Sequence, residues 1–283
     1  MNRRGFLQVS SASLATACTG GVRVMPAATL MPVVFVSHGA PTMALDPVAA
    51  RDFGALGRAV PRPAAILVLS AHWLESPPTV GTRTTRELLH DYSGFPTELR
   101  QVRYPAPAAA ALAQDVLRLV PGSRLDDERP WDHGVWAPLV HMQPATDVAV
   151  LQLSVPWRLP PERLHQLGRQ LAPLRAQGVL ILASGGMVHN LGQLAWGRPD
   201  APVPKWASEF EAWTRAQLVG HDHDRLVTWR ERAPGCALAH PSDDHFVPLL
   251  VAAGAATLDA PSVSFPIEGF ELGSLSRLAV RWG

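Results

Sequence analysis

Four of the eleven histidines stand where a binding site is most easily built. His38 follows the apolar run "VVFVS", and His72 follows "AILVLS" after one alanine. His189 comes a few residues after "VLILA", and His245 opens "HFVPLLVAAGAA" after the polar "HPSDD". A neutral imidazole nitrogen ligates Zn, Fe, Cu and Ni near neutral pH. One histidine at the end of an apolar run carries little information. Four from distant segments, each at the end of a strand or the start of a helix, point to a metal site. The remaining histidines read differently. His221 and His223 in "GHDHDR" have the spacing of a metal clip but lie in a polar, solvated turn. His141 and His165 fall in helix-like stretches as packing or surface residues, and His240 is left open. Other chemistries lack their signatures: there is no G-x-S-x-G elbow, no phosphate-binding loop after a strand, and no H-E-x-x-H.

The elements needed to bring these histidines together are legible. Val33–Ser37, Ala65–Ser70, Val148–Ser154 and Val179–Ala183 are short, almost continuous apolar runs, as expected of strands covered on both faces. Between them lie helical patterns at Ala106–Val120, Pro160–Ala176 and Lys205–Val219. "PPERLHQLGRQLAPLRAQG" opens on prolines and closes on glycine. Strands alternating with helices predict an α/β fold: one three-layer domain, with a largely parallel central sheet flanked by helices. In such sheets ligands bind beyond the carboxyl ends of the strands, where His38, His72 and His189 fall. The late "VSFPIEGFELGSLSRLAVRWG" is strand-rich and is expected to add an edge. No linker divides the chain, so residues 31–283 form a single catalytic domain.

Composition narrows the class. With 47% hydrophobic and 17% charged residues among 283, the chain can bury a large core. Lys plus Arg number 25 against 24 Asp plus Glu, so no basic stripe supports a nucleic-acid role. Cys18 and Cys236 are the only cysteines, and Cys18 lies in the leader, so no disulfide framework is expected. Cys236 reads as a buried small residue rather than a reactive thiol. Residues 1–30 read as a twin-arginine export signal: Arg3-Arg4, Phe6-Leu7, then a weakly apolar run. That run is too short and polar to span a membrane stably. The expected location is the periplasm, with the cytoplasm as the alternative.

Six motifs occur in an order that resembles one family. They are "VVFVSHGAPTMALD", "AAILVLSAHW", "LHDYSGFPTELRQVRYPAP", "WDHGVWAPL", "ILASGGMVHNLG" and "DDHFVPLLVAAGA". Together they are similar to the class III extradiol ring-cleavage dioxygenases of the LigB-like superfamily, in the DOPA 4,5-dioxygenase-type branch. The resemblance implies a mononuclear non-haem Fe(II) oxidoreductase that opens a catechol ring beside its diol with O2, giving a semialdehyde. Zinc occupies the same site in some bacterial members. By motif, His38, His72 and His245 are metal ligands. His189 matches a histidine that serves as a further ligand or as the catalytic base. His133 matches a histidine that lines the substrate site and stabilises developing oxygen charge. His90 and Asp91 match a loop near the cleft and are substrate-binding candidates. The wider superfamily often completes its ligand set with a carboxylate, where His245 stands here. An all-histidine set offsets less of the charge of Fe(II), which leaves iron or zinc open as the native metal.

Two other readings fit the same residues: a zinc-dependent hydrolase, and a non-catalytic periplasmic protein that binds a metal or ligand. Small-molecule substrate and O2 are the expected partners, and which catechol is used is open, as is the oligomeric state.

Overall fold

The computed structural model describes residues 30–81, 88–259 and 261–283. The export signal read over residues 1–30 therefore lies, but for its last residue, outside the described residues. In chain order the elements begin β1 (Val33–Ser37), α1 (Pro47–Ala59), β2 (Ala65–Ser70), β3 (Thr79–Gly81) and α2 (Ala110–Leu119). There follow β4 (Arg124–Asp126), α3 (His133–Met142), β5 (Ala149–Leu153), α4 (Pro161–Leu171), β6 (Val179–Gly185) and α5 (Lys205–Val219). The short helices α6 (His223–Val227), α7 (Trp229–Arg232) and α8 (Cys236–Ala239) lead to α9 (Val247–Ala255). The chain ends in β7 (Val263–Ile267), β8 (Phe270–Glu271), β9 (Leu275–Ser276) and β10 (Ala279–Trp282).

Eight strands form one sheet in the order β4-β3-β5-β2-β6-β1-β10-β7. The four inner strands β5, β2, β6 and β1 run parallel. They are the four runs of Val, Ile and Leu in the sequence, and their side chains alternate between two cores. Val33 and Phe35 face a core shared with α4, α5 and α9, while Val34 and Val36 face one shared with α1 and α3. Each fully buried side chain of this size contributes about 1.5–3 kcal/mol. This double coverage makes the expected three layers. It also explains α9, all of whose residues are buried and which shows no polar stripe.

Local departures have local causes. The helix expected from Ala106 begins at Ala110, because Pro105 and Pro107 hold the residues before them extended. Ala108 there bridges to Val150 instead. The helix from Pro160 turns into a 3-10 helix at Ala172, where Pro173 has no N–H to continue the α ladder. The C-terminal stretch adds more than an edge. Its β10 pairs antiparallel with β1, Val33 opposite Trp282, and β7 forms the edge outside it. No helix among the described residues is long and apolar enough to cross a membrane.

Candidate metal centre

The parallel strands deliver the histidines to one place. His38 is the residue after β1, and its N–H donates to the carbonyl of Gly185 at the end of β6 (3.0 Å). His72 follows β2 in a tight turn whose backbone N–H donates to Ser70 Oγ (3.2 Å). His245 precedes α9, and its carbonyl accepts from Gly186 N–H (2.9 Å). A Cβ on Gly185 would overlap that carbonyl, so only glycine lets the end of β6 pass His245. One ring nitrogen each from His38, His72 and His245 lies within 4.8 Å of the others. The Nε2 atoms of His38 and His72 are 3.0 Å apart.

Each ring is held by its other nitrogen. His38 Nδ1 lies 3.0 Å from Ser184 Oγ, which donates its own proton to the Gly134 carbonyl and so must accept from His38. His72 Nδ1 faces Asp91 Oδ2 (3.2 Å), and His245 Nδ1 faces Asp244 Oδ2 (2.9 Å). A proton fixed on Nδ1 leaves a lone pair on Nε2, and supporting partners of this kind orient metal-binding histidines. Three converging neutral Nε2 atoms, each backed by an acceptor, fit a divalent metal cation.

Burial keeps the His38 and His72 rings neutral. It holds His38 well below the usual histidine range, with the neighbouring histidines adding to it. His72 is lowered to about 3 for the same two reasons, against the pull of Asp91. Burial would raise the Asp244 carboxyl, but the hydrogen bond and Coulombic pull of His245, with the Ser242 hydroxyl and His189, together outweigh it and hold the group well below the carboxylate range. The linkage gives a test. His72, His189 (lowered to about 2) and His240 (to about 3) all have folded values below the ordinary 6.5. Below about pH 6.5 the unfolded chain takes up protons that the folded one refuses, so stability falls with falling pH and is level above that value. Metal-free protein should lose at least about 5 °C in Tm between pH 7.5 and pH 5. A Tm unchanged over that interval in thermal scans would mean that these rings are not buried as described.

The other histidine candidates surround this cluster. His133 is the first residue of α3, and its ring centroid is 4.0 Å from that of His72 and 5.2 Å from that of His38. His133 Nδ1 donates to Asp91 Oδ1 (2.8 Å), so Asp91 spans His133 and His72. His189 stacks flat on His245, with centroids 3.5 Å apart and planes 5° from parallel, outside the three-nitrogen cluster. Burial first, and then His245, keep its imidazole neutral. His38, His133, His189 and His245 line the base of a cavity of about 180 Å³ with largely apolar walls.

The loop of His90 and Asp91 is placed differently from a substrate contact. His90 Nε2 donates to the Leu99 carbonyl (3.3 Å), and neither side chain lines the cavity. Tyr92 and Phe95 of the same loop line it. Asp91 instead orients two rings. Asp91→Asn would leave one of the two Nδ1–H groups facing an amide N–H2 with no acceptor, and the other with only an uncharged one. A competitive-chelator titration should show metal affinity lowered about 10–100-fold with the fold intact. Unchanged affinity would remove Asp91 from the supporting set.

Several supporting residues escaped the sequence reading. Ser70 Oγ donates to fully buried Asp132 (2.6 Å), which also accepts from Gln152 (2.6 Å). Ser184 holds His38. Their signal was present: Ser37, Ser70, Gln152 and Ser184 are polar residues at or near the ends of otherwise apolar strands. Gly134 belongs with them, since a Cβ there would overlap Ser70 Oγ. His240 is buried and its Nε2 donates to the Met187 carbonyl (2.9 Å), bracing the loop that carries His189. His141 donates to the Met43 carbonyl, and the rings of His165 and His223 lie 4.8 Å apart, outside the two three-residue groupings that could hold a metal among the described residues, His38–His72–His245 and His72–Asp91–His133. Cys236 is half-buried, with its thiol 3.2 Å from the Arg230 carbonyl.

Comparison with known proteins shows the family. The family described as the catalytic LigB subunit of aromatic ring-opening dioxygenase matches residues 49–274, which contain His72, His133, His189 and His245. The 4,5-DOPA dioxygenase extradiol of Escherichia coli K12 is 37% identical over 92% of this chain and 97% of its own length. The protein of the same name from Beta vulgaris is 38% identical over 78% of this chain and 85% of its own. The crystal structure of an uncharacterized Escherichia coli K12 protein superposes with a TM-score of 0.75 at 34% identity, covering 89% of this chain and all of that one. With a three-histidine cluster placed for a non-haem metal, this chain belongs to the LigB family and is an oxidoreductase, an extradiol ring-cleavage dioxygenase.

Proposed function

We propose that the protein opens the ring of a catechol-type aromatic with O2 to give a semialdehyde, using Fe(II) held by His38, His72 and His245. The observation that carries this reading is the convergence of three Nε2 atoms, each backed through Nδ1, at the base of an apolar cavity that two further histidines also line. When bound, iron supplies a Lewis acid for the catechol oxygens and a redox centre for O2, with positions left open by a three-residue ligand set.

The chain's own residues supply the rest. His189 faces the cavity as the proton acceptor for a catechol hydroxyl; burial holds its own basicity low, so it takes a proton already made acidic by a bound metal. His133 has Nδ1 tied to Asp91, so its Nε2 is the atom left for the substrate, and it donates to an oxygen that gains negative charge when the ring carries its second proton opposite the Asp91 carboxylate. Tyr92, Phe95 and Leu194 cover the ring and keep bulk water out.

The test is to purify the protein without oxygen, load Fe(II) and follow O2 uptake with a panel of catechols. Uptake with a yellow product is expected. Zinc fits the same nitrogens but has no accessible redox state, so zinc-filled protein should be inactive. No uptake from protein holding one iron per chain would overturn the reading. The location we propose is the periplasm, reached through residues 1–30 in the folded state. A reporter fused to residues 1–31 and retained in the cytoplasm would overturn that part.

A further inference from the structure

The walls above the histidines carry information that the metal centre does not. Phe95, Leu191, Leu194, Trp196, Leu272 and Leu275 make them, and no Lys, Arg, Asp or Glu lines the cavity among the described residues. The apolar surface continues to the mouth, where Leu191 is 54% and Trp196 62% exposed. Side chains of this size are not left in water without cost. Here they extend an apolar wall outward from the reacting centre.

The wall is also built rather than loose. Asn190, next to His189, accepts from Gly192 N–H (3.0 Å) and donates to the Leu238 carbonyl (2.7 Å). Ala195 N–H donates to the Leu272 carbonyl (2.9 Å), and Leu272 N–H donates to the Pro199 carbonyl (3.0 Å). The two loops that carry the leucines are thus bonded to each other and to their surroundings. An amino-acid arm on the ring would bring an ammonium and a carboxylate against these side chains, with no opposite charge among the described lining residues to meet them.

From this we infer that the cavity selects catechols whose ring substituent is neutral and apolar, an alkyl or aryl group, over catechols with an amino-acid or carboxylate arm. The inference rests on the ring-cleavage reading and narrows it to a substrate class. It also separates this chain from what the names of its relatives state of those proteins.

Two measurements test it. In the first, metal-loaded protein is titrated calorimetrically without oxygen against catechol, 4-methylcatechol, 4-ethylcatechol and 4-propylcatechol, and against DOPA and 3,4-dihydroxyphenylacetate. Each added methylene should tighten binding about three- to fourfold. The two charged catechols should bind at least about tenfold more weakly than 4-ethylcatechol. In the second, kcat/KM is measured on the same panel with O2 and should follow the same order. Trp196→Arg changes an exposed residue, so the fold should tolerate it. It should lift the carboxylate-bearing catechols about two- to fivefold relative to the alkyl series. Binding that is flat with chain length, or charged catechols that equal or exceed the alkyl ones, overturns the inference even if every catechol is cleaved. If none is cleaved by protein with a full complement of iron, the ring-cleavage reading fails, and the anaerobic titration alone still decides the cavity's preference.

Discussion

His72→Ala should purify without its metal and show no ring cleavage above background. His72 supplies one of only three converging nitrogens, and it is the least buried of them, so its removal spares the core. The loss should exceed the roughly 10–100-fold expected for removing a supporting partner such as Asp91. Thermal unfolding gives a reading that needs no turnover. Metal bound at 100 times its Kd stabilises the folded state by about 2.7 kcal/mol, which is several degrees in Tm for a chain of this size. The wild type should show that rise on adding metal, and His72→Ala should not. Metal content near one per chain in the variant would defeat the assignment of the site.

The second large effect separates binding from chemistry. His189→Ala should keep most of its metal while kcat falls about 10²–10⁴-fold, the range for loss of a general base. His245, on which His189 stacks, is held independently by Asp244 and by its carbonyl bond to Gly186. Loss of the stacked ring should therefore leave the ligand in place. Metal analysis decides the point: loss of metal from His189→Ala would make His189 a fourth ligand, and full activity would release it from both roles.

The strands were legible because their physics is local. Val33–Ser37 and Ala65–Ser70 are buried on both faces, and a run of apolar residues of strand length has few other uses. The histidines after them followed from the rule that parallel strands end at a common face. By contrast α3 was legible only as a helix-like stretch around His141, without its start at His133, because a helix buried on nearly all sides has no amphipathic period, and Gly134 and Pro138 interrupt its pattern. Asp91 was placed in the right loop, yet its contacts depend on how residues 42 positions apart in sequence meet in space. The same holds for Ser184 and His38, 146 positions apart. Supporting partners of this kind are set by the packed structure, and no short window of sequence contains both members.

The pairing of β1 with β10 sets an order of events during synthesis. The strand that leads into His38 is among the first parts of the described domain to be made, and the strand that completes its hydrogen bonds, with Trp282 opposite Val33, comes far later in the chain. Contacts between the two ends of a chain form late and slow folding. Until β10 is made, β1 has only β6 beside it. A chain cut before Ala279 should therefore cost the centre its shape although it removes no ligand.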